Sequence, residues 1–150
     1  MRPDFHIFLV DDSPADALII GRALRESGLA HRLTVLRDGR RALDELVGLR
    51  DPGTPAEREP DLILLDLNLP GLDGLGVLAQ LKADPHLRAI PVVVLTTSGR
   101  DEDVARAYQA GANTYIQKPA EYPRYRELVL SLKTYWLETA LRPPRRGHRP

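Results

Sequence analysis

Three aspartate positions, one threonine and one lysine stand where chemistry could be done. Asp11 and Asp12 follow the apolar run IFLV, Asp66 follows LILL, Thr96 follows VVVL and Lys118 follows TYIQ. Two carboxylates about 4 Å apart repel by about 4 kcal/mol at an effective dielectric of about 20. If the segments carrying Asp11, Asp12 and Asp66 are neighbours, the three acids must protonate or share a cation. An oxygen-only donor set, with no His or Cys nearby, favours a hard ion. Mg²⁺ suits it, because it keeps several waters and shares carboxylates with phosphate. Lys118 aimed at the same pocket would neutralise an anion, and the Thr96 hydroxyl would donate to one of its oxygens. Such a set serves phosphoryl transfer, which rests on positioning and charge stabilisation. The Asp66 carboxylate is then the nucleophile and becomes an acyl phosphate.

Read singly, each residue has a plainer explanation. Asp is a common helix cap, so Asp11 and Asp12 before Ser13-Pro14 fit a solvated strand end. Thr96-Thr97-Ser98 fits a cap for a following helix, with Ser98 the better placed of the three. A lysine before proline is ordinarily a surface residue, and Tyr115 in a strand is ordinarily core. It is the common position of all five residues at the ends of apolar runs that favours the chemical reading. Gly71, Gly74 and Gly76 lack the spacing of a phosphate-binding glycine loop and are expected to shape a turn and a helix start. His6, His31, His86 and His148 show no ligand spacing.

The elements that must position these residues alternate along the chain. Strands are expected over 6–10, 32–36, 61–65, 90–95 and 114–117. The continuous apolar runs among them suit parallel strands covered on both faces. Helices are expected from Pro14 to a stop at Gly28, along Ala42, Leu43, Leu46 and Val47, and along Leu75, Leu78 and Leu81 to Asp84-Pro85. Two more are expected over 101–110 and from near Pro123 to about Leu141. Asp38-Gly39 reads as a turn, and RDPGTPAEREP, residues 50–60, as an exposed loop. This βαβαβαβαβα order predicts an α/β fold, a doubly wound parallel sheet with ligands bound at the carboxyl ends of its strands.

The composition narrows the function. The chain has 150 residues, 43% of them hydrophobic, which suits one domain over residues 1–141. Lys plus Arg and Asp plus Glu both number 21, and this balance argues against general nucleic-acid binding. There is no cysteine, no apolar stretch near the about 20 residues that span a bilayer and no secretory leader pattern. A cytoplasmic protein without membrane or nucleic-acid partners is expected. The arginine-rich stretch RPPRRGHRP, 142–150, reads as a disordered tail.

The chain resembles the receiver domains of bacterial two-component response regulators. The likeness spans about residues 5–140 and is carried by LVDDS (9–13), DLILLDLNLPGLDGLGVL (61–78), PVVVLTTS (91–98) and AGANTYIQKP (110–119). It implies a flavodoxin-like sheet of strand order 2-1-3-4-5. It implies Asp66 as phosphoacceptor, Asp12 as a direct Mg²⁺ ligand and Asp11 as the acid holding a metal-bound water. Asn68 would supply a backbone carbonyl to the metal, Thr96 the switch hydroxyl, Lys118 the phosphate-pairing ammonium and Tyr115 the switch aromatic. The family habit of a cis bond at Lys118-Pro119 is expected too. The phosphodonor would be a partner histidine kinase, and the protein would signal by a conformational switch rather than turn over an outside substrate. With about ten residues after the receiver, a stand-alone regulator is expected. The Pro-rich loop at 50–60 and the long last helix with Tyr135-Trp136-Leu137 resemble regulators that serve phytochrome photoreceptor kinases.

Tyr125, Leu128, Val129, Leu132 and Trp136 define one apolar face of the last helix, and Leu130, Leu137 and Leu141 a second. A helix apolar on two faces needs a second cover, so a homodimer through this helix is expected. Two other functions compete with the receiver reading. One is an aspartyl-nucleophile phosphohydrolase, which would want its nucleophile on the first strand with a second acid two residues on. The other is an interaction module that works without phosphorylation.

Overall fold

Each strand is short because the residues that end it are the polar ones. In the computed structural model, which describes residues 4–144, β1 (Phe5–Val10), β2 (His31–Leu36), β3 (Leu62–Leu65), β4 (Val92–Thr96) and β5 (Thr114–Gln117) form one sheet. All neighbours pair in parallel, in the order β2-β1-β3-β4-β5. The expected doubly wound fold and its strand order are both observed.

Side chains alternate between the two faces of this sheet. Ile7, Leu9, Leu62, Leu64, Val93 and Leu95 pack against Ile20 and Leu24 of α1 (Pro14–Glu26) and Tyr125 and Val129 of α5 (Tyr122–Lys133). Phe8, Val10, Ile63, Leu65, Val92 and Val94 pack on the other face. They meet α2 (Gly39–Gly48), α3 (Gly74–Ala83) and α4 (Asp101–Gln109). β1, β3 and β4 are buried on both faces, which explains their unbroken apolar runs. Each leucine so buried stabilises the fold by about 1.5–3 kcal/mol.

Helix starts follow local chemistry. Ser13 Oγ accepts from the Asp16 amide with Pro14 in the first turn, Asp38 Oδ1 from Arg41 and Asp73 Oδ1 from Gly76. Such caps contribute about 1 kcal/mol each. Asp38-Gly39 is therefore a cap and a first helical residue rather than a free turn. Gly39 is needed there, since a Cβ would stand 2.2 Å from the Leu72 carbonyl oxygen.

Ser98 does not cap α4, contrary to expectation. Arg100 takes that position, and Ser98 Oγ instead donates to Asp103 and accepts from the Arg100 amide. The loop at 50–60 contains a 3₁₀ turn over Ala56–Arg58, and Glu59 beyond it is buried.

The last helix changes pitch. After Lys133 the chain forms a π-helical segment, Thr134–Thr139, closed by the Ala140 amide donating to the Tyr135 carbonyl at 2.7 Å. The wider turn shifts the helical phase. Trp136 is buried and Leu137 packs partly against the core, while Leu130, Tyr135 and Leu141 remain exposed. The second apolar line expected from a regular helix thus loses Leu137. Of the stretch 142–150, Arg142 lies over the Phe5 ring, 5.0 Å from its centroid, and within 4.0 Å of Asp61 Oδ1. Its remainder from 145 lies outside the described residues.

Candidate functional site

The sheet register brings the polar residues together. Val10 of β1 is paired with Leu65 of β3, so Asp11 and Asp66 leave the sheet side by side. The Asp66 amide donates to the Val10 carbonyl and the Asp11 amide to that of Leu36, so both backbones stay tied to the sheet as they leave it. Thr96 pairs with Gln117, and the Lys118 amide donates to the Thr96 carbonyl at 2.7 Å. Four separate segments thus deliver their side chains to one rim.

Lys118 sits at the centre of that rim. Its Nζ is 2.8 Å from Asp66 Oδ2, 2.9 Å from Asp11 Oδ2 and 2.7 Å from Asp16 Oδ2, and its side chain is only 5% exposed. Burial works against the ammonium charge, but the three carboxylates outweigh it and hold the pKa above that of a free lysine. The orientation expected from a cis bond at Lys118-Pro119 is reached without one. That bond is trans, and the three ion pairs with the backbone bond to Thr96 aim the side chain instead.

Asp66 is buried and held at both oxygens. Oδ1 accepts from the Thr96 hydroxyl at 2.9 Å and from the Asn68 amide at 3.0 Å, while Oδ2 faces Lys118. The Asn68 side-chain amide reaches Thr96 Oγ1 only at 3.5 Å, and Asn68 itself is exposed at the rim. Asp11 is buried as well. Its Oδ1 accepts from the Ser13 amide, but Oδ2 has no well-aligned hydrogen bond and meets only the nearby Lys118 charge. Burial pushes the Asp11 pKa up, partly offset by Lys118 and the Ser13 amide, and the Asp66 charge adds to the rise.

Asp11, Asp12 and Asp66 each offer an oxygen, and these lie within 4.8 Å of one another. The acid cluster with Asp16 and Lys118 sets four carboxylates against one ammonium, a formal charge of −3 with all four ionised. The poorly bonded Oδ2 of buried Asp11, the exposed Asp12 and the oxygen-only donor set fit a hard divalent cation. Such an ion would neutralise the crowding and polarise a phosphoryl oxygen.

Tyr115 stands on β5 with its hydroxyl donating to the Ser98 carbonyl at 2.8 Å, two residues beyond Thr96, and it packs partly against the core. All the residues expected at the site, Asp11, Asp12, Asp66, Asn68, Thr96, Tyr115 and Lys118, therefore lie on this rim or next to it. Asp16 was not foreseen. Its only sequence signal is an acid in the first turn of α1, which equally fits a favourable place near a helix N-terminus. A cleft of about 580 Å³ opens elsewhere, between the start of β1, the edge strand β2 and α2, with His6, Thr34 and Arg58 among its walls. Its position at the opposite end of β1 separates it from the acids.

Known proteins agree with this arrangement. Residues 7–130 match the response regulator receiver domain family. Response regulator Rcp1 of Synechocystis sp. is 41% identical over 143 residues, covering 95% of both chains. A probable methanogenesis regulatory protein, FilR2 of Methanothrix harundinacea, is 46% identical over 133 residues, covering 89% of this chain and 84% of that one. The crystal structure of the phosphorylated cyanobacterial phytochrome response regulator RcpA superposes with a TM-score of 0.84 at 40% identity, over 95% of this chain and all (100%) of that one. The Mn²⁺-bound form of Rcp1 superposes with a TM-score of 0.82 at 40% identity, over 95% of this chain and 100% of that one. A receiver sheet with its acids, hydroxyl and lysine on one rim, matched over nearly the whole chain, places this protein in the response regulator receiver domain family.

Proposed function

We propose that Asp66 accepts a phosphoryl group from a partner histidine kinase in the cytoplasm, with Mg²⁺ as the divalent ion. One observation carries the reading. A buried carboxylate is clamped by a hydroxyl on one oxygen and an ammonium on the other, beside two further acids. Asp12, Asp66 and the Asn68 carbonyl would hold the cation directly, and Asp11 through a water. An Asp66 oxygen attacks phosphorus in line, its new O–P bond forms, and the N–P bond of the phosphohistidine breaks with return of the electron pair to the imidazole. Lys118 and Thr96 stabilise the charge spread over the phosphoryl oxygens. Hydrolysis later breaks the O–P bond, frees inorganic phosphate and restores the carboxylate.

The signal would travel through Thr96 and Tyr115. A phosphoryl oxygen competes for the Thr96 hydroxyl now given to Asp66, and the Tyr115 bond to the Ser98 carbonyl lies next along the chain. A population shift from about 1:99 to 99:1 needs about 5.5 kcal/mol of differential stabilisation. Charge-assisted contacts in a dry pocket are of that order when several act together.

The kinase would be of the phytochrome type. Support comes from the likeness to RcpA, described as a phytochrome response regulator, and to RPA3017 of R. palustris, described in red light signalling, at 32% identity and a TM-score of 0.84. Self-association through the C-terminal segment fits the exposed Leu130, Tyr135 and Leu141, and light scattering before and after phosphorylation tests it. Among the described residues no helix is long and apolar enough to cross a membrane. The phosphoacceptor test is direct. The protein is incubated with acetyl phosphate and Mg²⁺, and its intact mass gains one phosphoryl group. Asp66→Asn gains none, and a mass gain in that variant would move the acceptor elsewhere.

A further inference from the structure

Asp16 is the one carboxylate on Lys118 that the cation cluster does not include. An ammonium has three donors and no acceptor, and here three carboxylates crowd it. Lys118 Nζ hydrogen-bonds Asp16 Oδ2 and Asp66 Oδ2 and pairs with Asp11 Oδ2, all within 2.7–2.9 Å. A phosphoryl oxygen on Asp66 therefore competes with these carboxylates for Lys118. The three candidates differ. Asp11 and Asp66 have oxygens in the group that fits a divalent ion, which would draw their charge away from the lysine. Phosphorylation turns the Asp66 carboxylate into an acyl phosphate, so its negative charge moves onto the phosphoryl oxygens. Asp16 takes part in neither change, because it stands in the first turn of α1 and outside the cation group. It also makes the shortest of the three contacts.

We infer that Asp16 is a positioning residue, a latch that holds Lys118 toward α1 in the resting protein and competes with the phosphoryl group for it. This rests on Asp66 as phosphoacceptor. Neutralising the latch leaves Lys118 free to stay with the phosphoryl oxygens. Phosphorylation then becomes faster. The acyl phosphate also lasts longer, because the lysine stays paired with phosphate instead of being drawn back to α1. The side chain of Asp16 is 25% exposed, so its ion pair is partly screened and the effect is bounded.

The experiment compares wild type, Asp16→Asn, Lys118→Ala and the double variant. Each is phosphorylated with acetyl phosphate and Mg²⁺, and the acyl phosphate is followed by intact mass after donor removal. Binding of beryllofluoride, a phosphoryl analogue, is measured in parallel by calorimetry. Near-ultraviolet circular dichroism checks that each variant is folded. Asp16→Asn is expected to lengthen the acyl-phosphate half-life and tighten beryllofluoride binding by about fivefold, the size of about 1 kcal/mol. Both gains should vanish in the Lys118→Ala background, because the latch acts only through that lysine. A folded Asp16→Asn with wild-type half-life and analogue affinity overturns the inference. So does an equal gain with and without Lys118, which would point to a general field effect. Absence of any phosphorylation in wild type would instead overturn the phosphoacceptor reading.

Discussion

The Thr96 hydroxyl donates to Asp66 Oδ1 at 2.9 Å, and both side chains are buried. This bond joins the ends of two neighbouring strands and leaves the hydroxyl positioned for whatever replaces the carboxylate charge.

Removing that hydroxyl should therefore slow phosphoryl transfer more than it harms the fold. Thr96→Ala leaves Asp66 Oδ1 with the Asn68 amide, so the carboxylate is not orphaned. A lost hydrogen bond to a charged group is worth about 1.5–3 kcal/mol. Acyl-phosphate formation from acetyl phosphate should fall at least about tenfold. Thr96→Ser keeps the donor and should stay within about twofold of wild type. Rapid-quench mass measurements decide between them.

Divalent ions should stabilise the protein through the acidic cluster. Mg²⁺ at about a hundredfold above its dissociation constant adds about 2.7 kcal/mol, visible as a raised melting temperature. Asp12 is exposed, so Asp12→Asn should fold normally yet lose most of that rise. An unchanged rise in Asp12→Asn would remove Asp12 from the ligand set.

Gly74 controls the backbone of Asp66. A Cβ at Gly74 would stand 2.2 Å from the Asp66 carbonyl oxygen and 2.6 Å from Leu67 Cα, both main-chain atoms that cannot swing aside. Gly74→Ala should cost about 1–3 kcal/mol in a urea titration and lower Asp66 reactivity. At Gly76 the nearest atom is Leu72 Cδ1, the end of a movable side chain, so Gly76→Ala should cost less.

Lys82 ties the loop before β4 to the loop before β5. Its Nζ donates to the carbonyls of Arg88 and Ile90 and to Asn113 Oδ1, which also accepts from the Val92 amide. Burial lowers the Lys82 pKa. Lys82→Met keeps most of the apolar stem but removes this donor from the Arg88 and Ile90 carbonyls, while Asn113 Oδ1 keeps the Val92 amide. A loss of about 1–3 kcal/mol is expected, read as a lower urea midpoint at unchanged slope.

Strand identity and the set of acids were legible from Phe5 to Gln117 because each depends on local pattern, whereas the sheet order was implied only by the family resemblance. Apolar runs buried on both faces announce themselves, and Asp11, Asp66 and Thr96 stand at the ends of such runs. The exceptions had no local mark. Ser98 could cap α4 as far as its neighbours show, but it bonds Asp103 and Arg100 instead. Leu137 fits an outward stripe at regular helical pitch, and a π-helical segment turns it toward the core. Lys118 reaches Asp66 through a trans peptide because ion pairs do the aiming.

The amino-acid sequence alone determined the parallel sheet, the receiver family likeness and the acids and lysine at its rim, since these follow from residue type and period along one segment. Only the tertiary structure decided that Asp16 belongs to the site. Its partner Lys118 lies 102 residues away, and no local pattern records a contact made by two side chains meeting above different elements.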